Sequence, residues 1–252
     1  MLPFTNLSDA RPIIAIGVAI LAGAVRGFSG YGSALVYVPL IASIYNPRIA
    51  AVTLLVMDFA SGVPFAIRAA RTCRWHEILP LTLTAAVGIP LGAYALLHVD
   101  TVLMRWAAAL LVLFVLAFLI KGWRYKGRLA WWITWLTGFS SGFFGGAFQM
   151  DGPPVVIFWL GGSHDANVVR SNLMMFIALN GFLMCIVYWF SGLMTNGIVV
   201  ASLLLGIPFM AAMSVGAKLF SVASESVYRI FAYAIIGVGA VVSLPIFDAY
   251  LR

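Results

Sequence analysis

Between residues 102 and 120 the chain reads VLMRWAAALLVLFVLAFLI, apolar throughout except for Arg105. A helix needs about 20 apolar residues to cross the hydrocarbon of a bilayer. Comparable runs cover residues 49–67, interrupted by Asp58, and residues 78–97, 168–190, 198–219 and 227–246. They are rich in Leu, Ala, Val and Gly and do not alternate apolar with polar, which favours helices over barrel strands. Of 252 residues, 63% are hydrophobic and 9% charged, against about 25% charged in a soluble domain. A soluble fold of this length could not bury that much apolar surface. The fold class expected is therefore an all-α integral membrane protein, multi-pass, with the lipid bilayer as its solvent and the inner or plasma membrane as its place.

The net charge of +7 does not point to nucleic acid. Most basic residues fall in short loops between apolar runs, such as 68–77 and 121–128 (KGWRYKGR), where they set topology. Cys73 lies in a basic loop and Cys185 inside an apolar run, which suggests neither a disulfide nor a metal site. No HExxH motif is present, so no metal and no cofactor is expected. The N-terminal MLPFTNLSDARP lacks a basic n-region, and a cleaved signal peptide is not expected. Trp131, Trp132 and Trp135 read as an interfacial belt.

Residues 23–39, GAVRGFSGYGSALVYVP, interrupt this pattern with four glycines, an arginine, two serines and a closing proline. The stretch has an echo 115 residues later: Gly23, Gly27, Phe28, Gly30 and Pro39 match Gly138, Gly142, Phe143, Gly145 and Pro154. Gly88-Ile89-Pro90 likewise matches Gly206-Ile207-Pro208, and each reads as a break in its span. The chain thus divides into two homologous halves, residues 1–125 and 126–252, which together make one transport domain. Each half carries a Gly/Pro-broken hairpin of two half-helices, followed by three transmembrane helices. Five segments per half is an odd number, so the halves would insert as inverted repeats, a transporter signature. That arrangement places ten Lys and Arg inside and four outside, Arg105 among the outer four, whereas eight plain spans give nine and five.

Glycine and proline at membrane depth free backbone groups that lipid cannot satisfy, so such breaks belong inside protein or along a watery cavity. Half-helix N-termini there would offer N–H donors and a positive dipole end to an anion. Arg26, Gly27, Ser29, Gly30, Tyr31 and Ser33 decorate the first break; Ser140, Ser141, Gly142, Gly145, Gly146 and Gln149 decorate the second. These are candidate substrate ligands, with Asn172 and Asn180 two turns apart on one helix face. The plainer reading of Gly23-x-x-x-Gly27 and Gly138-x-x-x-Gly142 is close helix packing. Arg26 is either an anion ligand or the partner of Asp58 or Asp151, since a charge at the bilayer centre needs one. Asp58 is also a candidate proton carrier, and Asp151 a candidate helix cap.

Gly27-Phe28-Ser29-Gly30 also fits the GxSG pattern of rhomboid intramembrane proteases. A serine nucleophile needs a histidine base within reach, and His76, His98 and His164 all stand near loops. The chain is therefore expected not to be an enzyme; an intramembrane protease and an anion channel remain the alternatives to a transporter. The paired glycine segments with their prolines, and the paired GIP sequences, resemble the sulfite exporter TauE/SafE family over essentially the whole chain. By motif position Gly27, Gly30, Pro39, Gly142, Gly145 and Pro154 carry over, and Arg26 has Ser141 as its counterpart. The resemblance implies a transporter of small anions such as sulfite, organosulfonates or small carboxylates, working by alternating access. A homodimer is compatible with it.

Overall fold

A computed structural model describes residues 11–29, 32–121, 131–160, 166–220 and 225–247, and these are helical with no strand among them. In chain order the helices are α1 Arg11–Ser29, α2 Ser33–Ile44, α3 Pro47–Ala69, α4 Trp75–His98, α5 Thr101–Lys121, α6 Trp131–Phe148, α7 Gly152–Leu160, α8 Ala166–Phe190, α9 Asn196–Phe220 and α10 Glu225–Val242. A single 3-10 turn, Pro245–Phe247, follows. The order is a broken pair plus three helices, twice over. Five of the described helices are long and apolar enough to cross a membrane.

Local chemistry sets the boundaries. Asn46 caps α3, its Oδ1 accepting the Ile49 N–H at 2.8 Å, and Pro47 takes the first helical position, where a missing N–H costs nothing. Asp100 caps α5 by accepting from the N–H groups of Val102 and Leu103 at 2.8 and 3.2 Å. The two broken pairs are lopsided. At about 1.5 Å per residue, α1 and α6, with 19 and 18 residues, approach full span length. Only α2 and α7, with 12 and 9 residues, are half-helices. The expectation of two half-helices per hairpin is corrected to one long arm and one short arm.

The GIP sequences are not breaks either. Helix α4 runs unbroken through Gly88-Ile89-Pro90, and α9 through Gly206-Ile207-Pro208. Proline removes one hydrogen bond from the ladder, yet packing keeps the helix intact. In α4, Gly88 and Gly92 bring the backbone against the carbonyls of Phe139 and Phe143 in α6.

The helices form two compact units, each drawing on both halves of the sequence. One contains α1, α2, the start of α3 up to Met57, α5, α9 and α10; the other contains α3 from Asp58, α4, α6, α7 and α8. In the first, α1 packs on α9, and α2, α5 and α10 pack on one another. In the second, α4 packs on α6, and α8 covers α4, α6 and α7. By the sequence echo α6 is the counterpart of α1, and α9 of α4. The α1–α9 and α4–α6 contacts are therefore the same contact made twice.

Both contacts are built on glycine. A Cβ on Gly23 or Gly27 would collide with the carbonyl oxygens of Phe209 and Met213, and one on Gly216 with that of Ala24. In the other unit Gly138, Gly142 and Gly146 stand over the carbonyls of Leu81, Ala85 and Ile89. In lipid no hydrophobic force brings helices together, so close backbone approach has to supply the attraction, with Cα–H···O contacts adding to it. The opposite faces are apolar too. On α4, Ile78, Leu81, Ala85 and Ile89 are buried, while Leu83, Val87 and Tyr94 are more than half exposed. A helix apolar all round with one face uncovered has its other face in lipid.

Two polar ties hold the first unit. The Tyr37 hydroxyl donates to Thr53 Oγ1 at 3.0 Å, and both side chains are fully buried. Arg105, expected on the outer side at the start of its helix, lies near the start of α5 at 4% exposure and donates from Nη2 to the Ser243 carbonyl at 3.2 Å. It thus satisfies a carbonyl just beyond the end of α10, where a cation suits the negative end of the helix. Replacing Gly142 with Val should force α4 and α6 apart and cost about 1–3 kcal/mol, read as a lower unfolding temperature in detergent. Gly206→Ala, whose new methyl would meet only Met57 Cγ at 3.8 Å, should leave that temperature unchanged.

Candidate functional site

In the second unit the chain turns sharply between α6 and α7. Gln149 does the turning, with φ +59, a left-handed conformation that costs a residue other than glycine about 1–2 kcal/mol. Its backbone N–H still reaches the Gly145 carbonyl at 2.8 Å, and the Met150 N–H reaches that of Phe144 at 3.2 Å. What holds the strained residue is its side chain. Gln149 Nε2 donates to the Tyr188 hydroxyl at 3.2 Å and approaches Met184 Sδ at 3.3 Å. Tyr188, fully buried, donates in turn to the Gly146 carbonyl at 2.6 Å. Strain held in place by its surroundings is a mark of functional positions.

Asp151 follows, 8% exposed, at the cap position of α7. Its backbone carbonyl accepts from the hydroxyl of Ser141, itself fully buried. Its carboxylate Oδ2 accepts from Asn180 Nδ2 at 3.4 Å. Asn180 is fully buried, and its Oδ1 has no hydrogen-bond partner. Gly145 lies beneath this group, where a Cβ would press on Asp151 Cβ and the Met184 methyl. Ser141, Gly145, Gln149, Asp151 and Asn180 are thus brought together. Asn180, Met184 and Tyr188 are the supporting stripe on α8, at i, i+4 and i+8. That spacing puts them on one face, which is the signal that could have revealed Met184 and Tyr188 from the sequence.

Asn172 does not join them. Its Oδ1 accepts the Arg74 N–H at 2.8 Å and its Nδ2 donates to Glu77 Oε2 at 3.0 Å. Trp159 Nε1 donates to the same carboxylate oxygen at 3.1 Å, and Arg74 pairs with its other oxygen at 3.3 Å. This knot fixes the start of α4 to α7 and α8. It rests on Ile78, Leu81, Val155, Phe158 and Phe176, the core packed around Trp159. Glu77, read only as part of a basic loop, is its centre. Gly142 and Gly146 sit in the α4–α6 contact, which is reason enough for glycine there.

In the first unit Arg26 occupies the last turn of α1, half-buried, with Gly27 pressed on α9. Ser33 opens α2 and is fully buried, and Gly32 precedes it. Ser29 is the last residue of α1, while Gly30 and Tyr31 lie outside the described residues. Asp58, half-buried on α3, belongs to the other unit from Arg26. His76 and His98 stand at the two ends of α4, and His164 lies outside the described residues. No group of His, Cys, Asp and Glu among the described residues could hold a metal.

The two breaks differ chemically. The first turn of a helix leaves its N–H groups without partners inside the helix. Helix α2 begins Ser-Ala-Leu, with three such groups and a hydroxyl, after an arginine-bearing turn. Helix α7 begins Gly-Pro-Pro, so two of its first donors are missing, and a carboxylate precedes it. The first break carries a guanidinium and a hydroxyl; the second carries amides, a hydroxyl and an acid.

A multi-pass helical membrane protein with a broken helix in each sequence half is the class these elements define. The family described as sulfite exporter TauE/SafE matches residues 15–242, and the chain belongs to that family of membrane transporters. No curated protein and no solved structure matches it. Tyr188→Phe should cost about 1–3 kcal/mol by leaving the buried Gly146 carbonyl without its donor. It should also speed amide exchange across residues 146–151; unchanged exchange would mean the hydroxyl does not hold the turn.

Proposed function

We propose that this protein is a cell-membrane transporter of small sulfur–oxygen anions, sulfite and organosulfonates foremost, and works by alternating access. The observation that carries the reading is the pair of Gly/Pro-broken segments, one in each half of a chain that the TauE/SafE family matches over residues 15–242. Broken helices at the centre of related repeats are where transporters of this build hold their substrates.

Arg26 is the principal ligand in this proposal. Its planar fork of donors suits an oxyanion better than a point charge does. The Ser33 hydroxyl and the first amides of α2 add uncharged donors, and Ser29, Gly30 and Tyr31 belong to the proposed ligand set by their place in the sequence. The second break by itself carries hydroxyl and amide groups, at Ser141, Gln149 and Asn180, with Gly145 packed closely against Asp151 and Met184. Gly27, Gly142, Gly146 and Asn172 serve the scaffold in this reading. Outward movement of an anion down the membrane potential gains about 2.3 kcal/mol per charge per 100 mV, so export has a driving force without further coupling.

Arg26→Ala should abolish sulfonate and sulfite flux in proteoliposomes while the protein keeps its elution profile and unfolding temperature; undiminished flux would remove Arg26 from the site. Ser29→Ala should leave most of the flux, whereas a lost proteolytic activity would revive the serine-protease reading. Among sulfite, sulfonates, sulfate and carboxylates, the substrate class should raise the unfolding temperature, since a ligand at a hundred times its Kd adds about 2.7 kcal/mol.

A further inference from the structure

At the end of α6 opposite the Gln149 turn, the second unit holds a hollow that anion transport does not use. Helices α4 and α6 run side by side in the same direction, since the carbonyls of Leu81, Ala85 and Ile89 face Gly138, Gly142 and Gly146 in turn. Their first turns therefore sit together. There His76 and Glu77 of α4, Trp131, Thr134 and Trp135 of α6, and Phe158 of α7 line a pocket of about 360 Å³.

The lining has a definite chemistry. The rings of Trp131 and Trp135 stand edge to face, with centroids 6.0 Å apart at 89°, and so form an aromatic corner. Glu77 adds a carboxylate beside it. Its Oε2 accepts from Trp159 and Asn172, while its Oε1 faces Arg74 Nη1 at 3.3 Å and His76 Nε2 at 3.7 Å. Aromatic faces next to a carboxylate attract an organic cation, an ammonium above all. Arg74, its side chain 46% exposed, offers a guanidinium to a phosphate just outside. A ligand carrying both an ammonium and a phosphate sets charges of opposite sign next to one another along this edge.

The pocket also stands where lipid headgroups lie. The basic stretches 68–77 and 121–128 lead into α4 and α6, and such stretches mark a membrane surface. Trp131, Trp132 and Trp135 are all more than half exposed, as interfacial indoles are. Further along the same two helices, Leu83 and Val87 on α4 and Leu136 on α6 are exposed and apolar, a track for a hydrocarbon chain. We propose that this pocket binds a zwitterionic aminophospholipid of the bilayer. Its ammonium sits in the corner of Trp131 and Trp135 beside Glu77, its phosphate turns toward Arg74 and His76, and an acyl chain follows the outer face of α4 and α6. The lipid covers the first turns of both helices, next to the Glu77 knot that ties α4 to α7 and α8.

Native mass spectrometry of the full chain in detergent, titrated with phosphatidylethanolamine, should show retained lipid. Trp131→Leu and Trp135→Leu should each weaken retention about 2- to 30-fold, the worth of one cation–π contact. Trp132→Leu, on the same turn but outside the pocket, should leave retention unchanged. All three indoles are exposed, so the unfolding temperature without added lipid should stay where it is. Phosphatidylglycerol, and phosphatidylethanolamine with its amine acetylated, keep phosphate and chains but lack the cation. Neither should be retained at the concentration that saturates the parent lipid. Glycerophosphoethanolamine, the headgroup without chains, should not displace it. Equal retention of either uncharged-amine or amine-free lipid, or an equal loss with Trp132→Leu, would overturn the assignment of the ammonium to this corner. Displacement by glycerophosphoethanolamine at equal concentration would make the ligand a water-soluble amine and overturn the lipid. None of these measurements depends on what the protein transports.

Discussion

Helices in a bilayer cannot be held together by hiding apolar side chains, because lipid is as apolar as leucine. Attraction has to come from contact, and contact is closest where no side chain intervenes. The whole architecture depends on this. Glycines on α1 and α9, and again on α4 and α6, let backbone meet backbone. Larger residues can then line the outer faces without affecting assembly. The contact occurs twice because the sequence does, and each occurrence joins a helix from one half of the chain to a helix from the other. Neither sequence half has a complete set of contacts of its own.

On that scaffold the two breaks have diverged. The echo between residues 23–39 and 138–154 keeps the glycines and the closing proline. It replaces Arg26 by Ser141, and the Ser-Ala-Leu opening of α2 becomes Gly-Pro-Pro in α7. One break keeps its amide donors and gains a guanidinium; the other gives up donors and gains an acid tied to an amide.

Much of this was legible in the sequence, and the losses have physical reasons. Hydropathy located every described helix, because span length is fixed by the bilayer and loop charge by its surface. The lopsided hairpins were not legible, since a helix end at Gln149 depends on a tether from Tyr188, forty residues away and silent in local pattern. The GIP sequences read as breaks because proline weakens an isolated helix; tight packing of Gly88 and Gly92 overrides that weakness. Arg105 read as a residue on the outer side at the start of its helix, and its burial was not legible because its partner, the Ser243 carbonyl, lies 138 residues away. Glu77 looked like one acid among arginines, whereas Trp159 and Asn172, distant in sequence, are its partners. Residue types were readable; partners across long separations were not.

The exchange of partners between halves also sets an order of assembly. Helices α4, α6, α7 and α8 are all synthesised by Leu193, so that unit can close while the ribosome is still at work. Helix α1 enters the membrane first and finds its counterpart α9 only after residue 196. At ordinary translation speeds that is a wait of roughly ten to forty seconds. Throughout it the glycine face of α1 lies open in the bilayer, a surface that any small-residue helix nearby could occupy. The oldest helix in the chain therefore meets its main partner only late in synthesis.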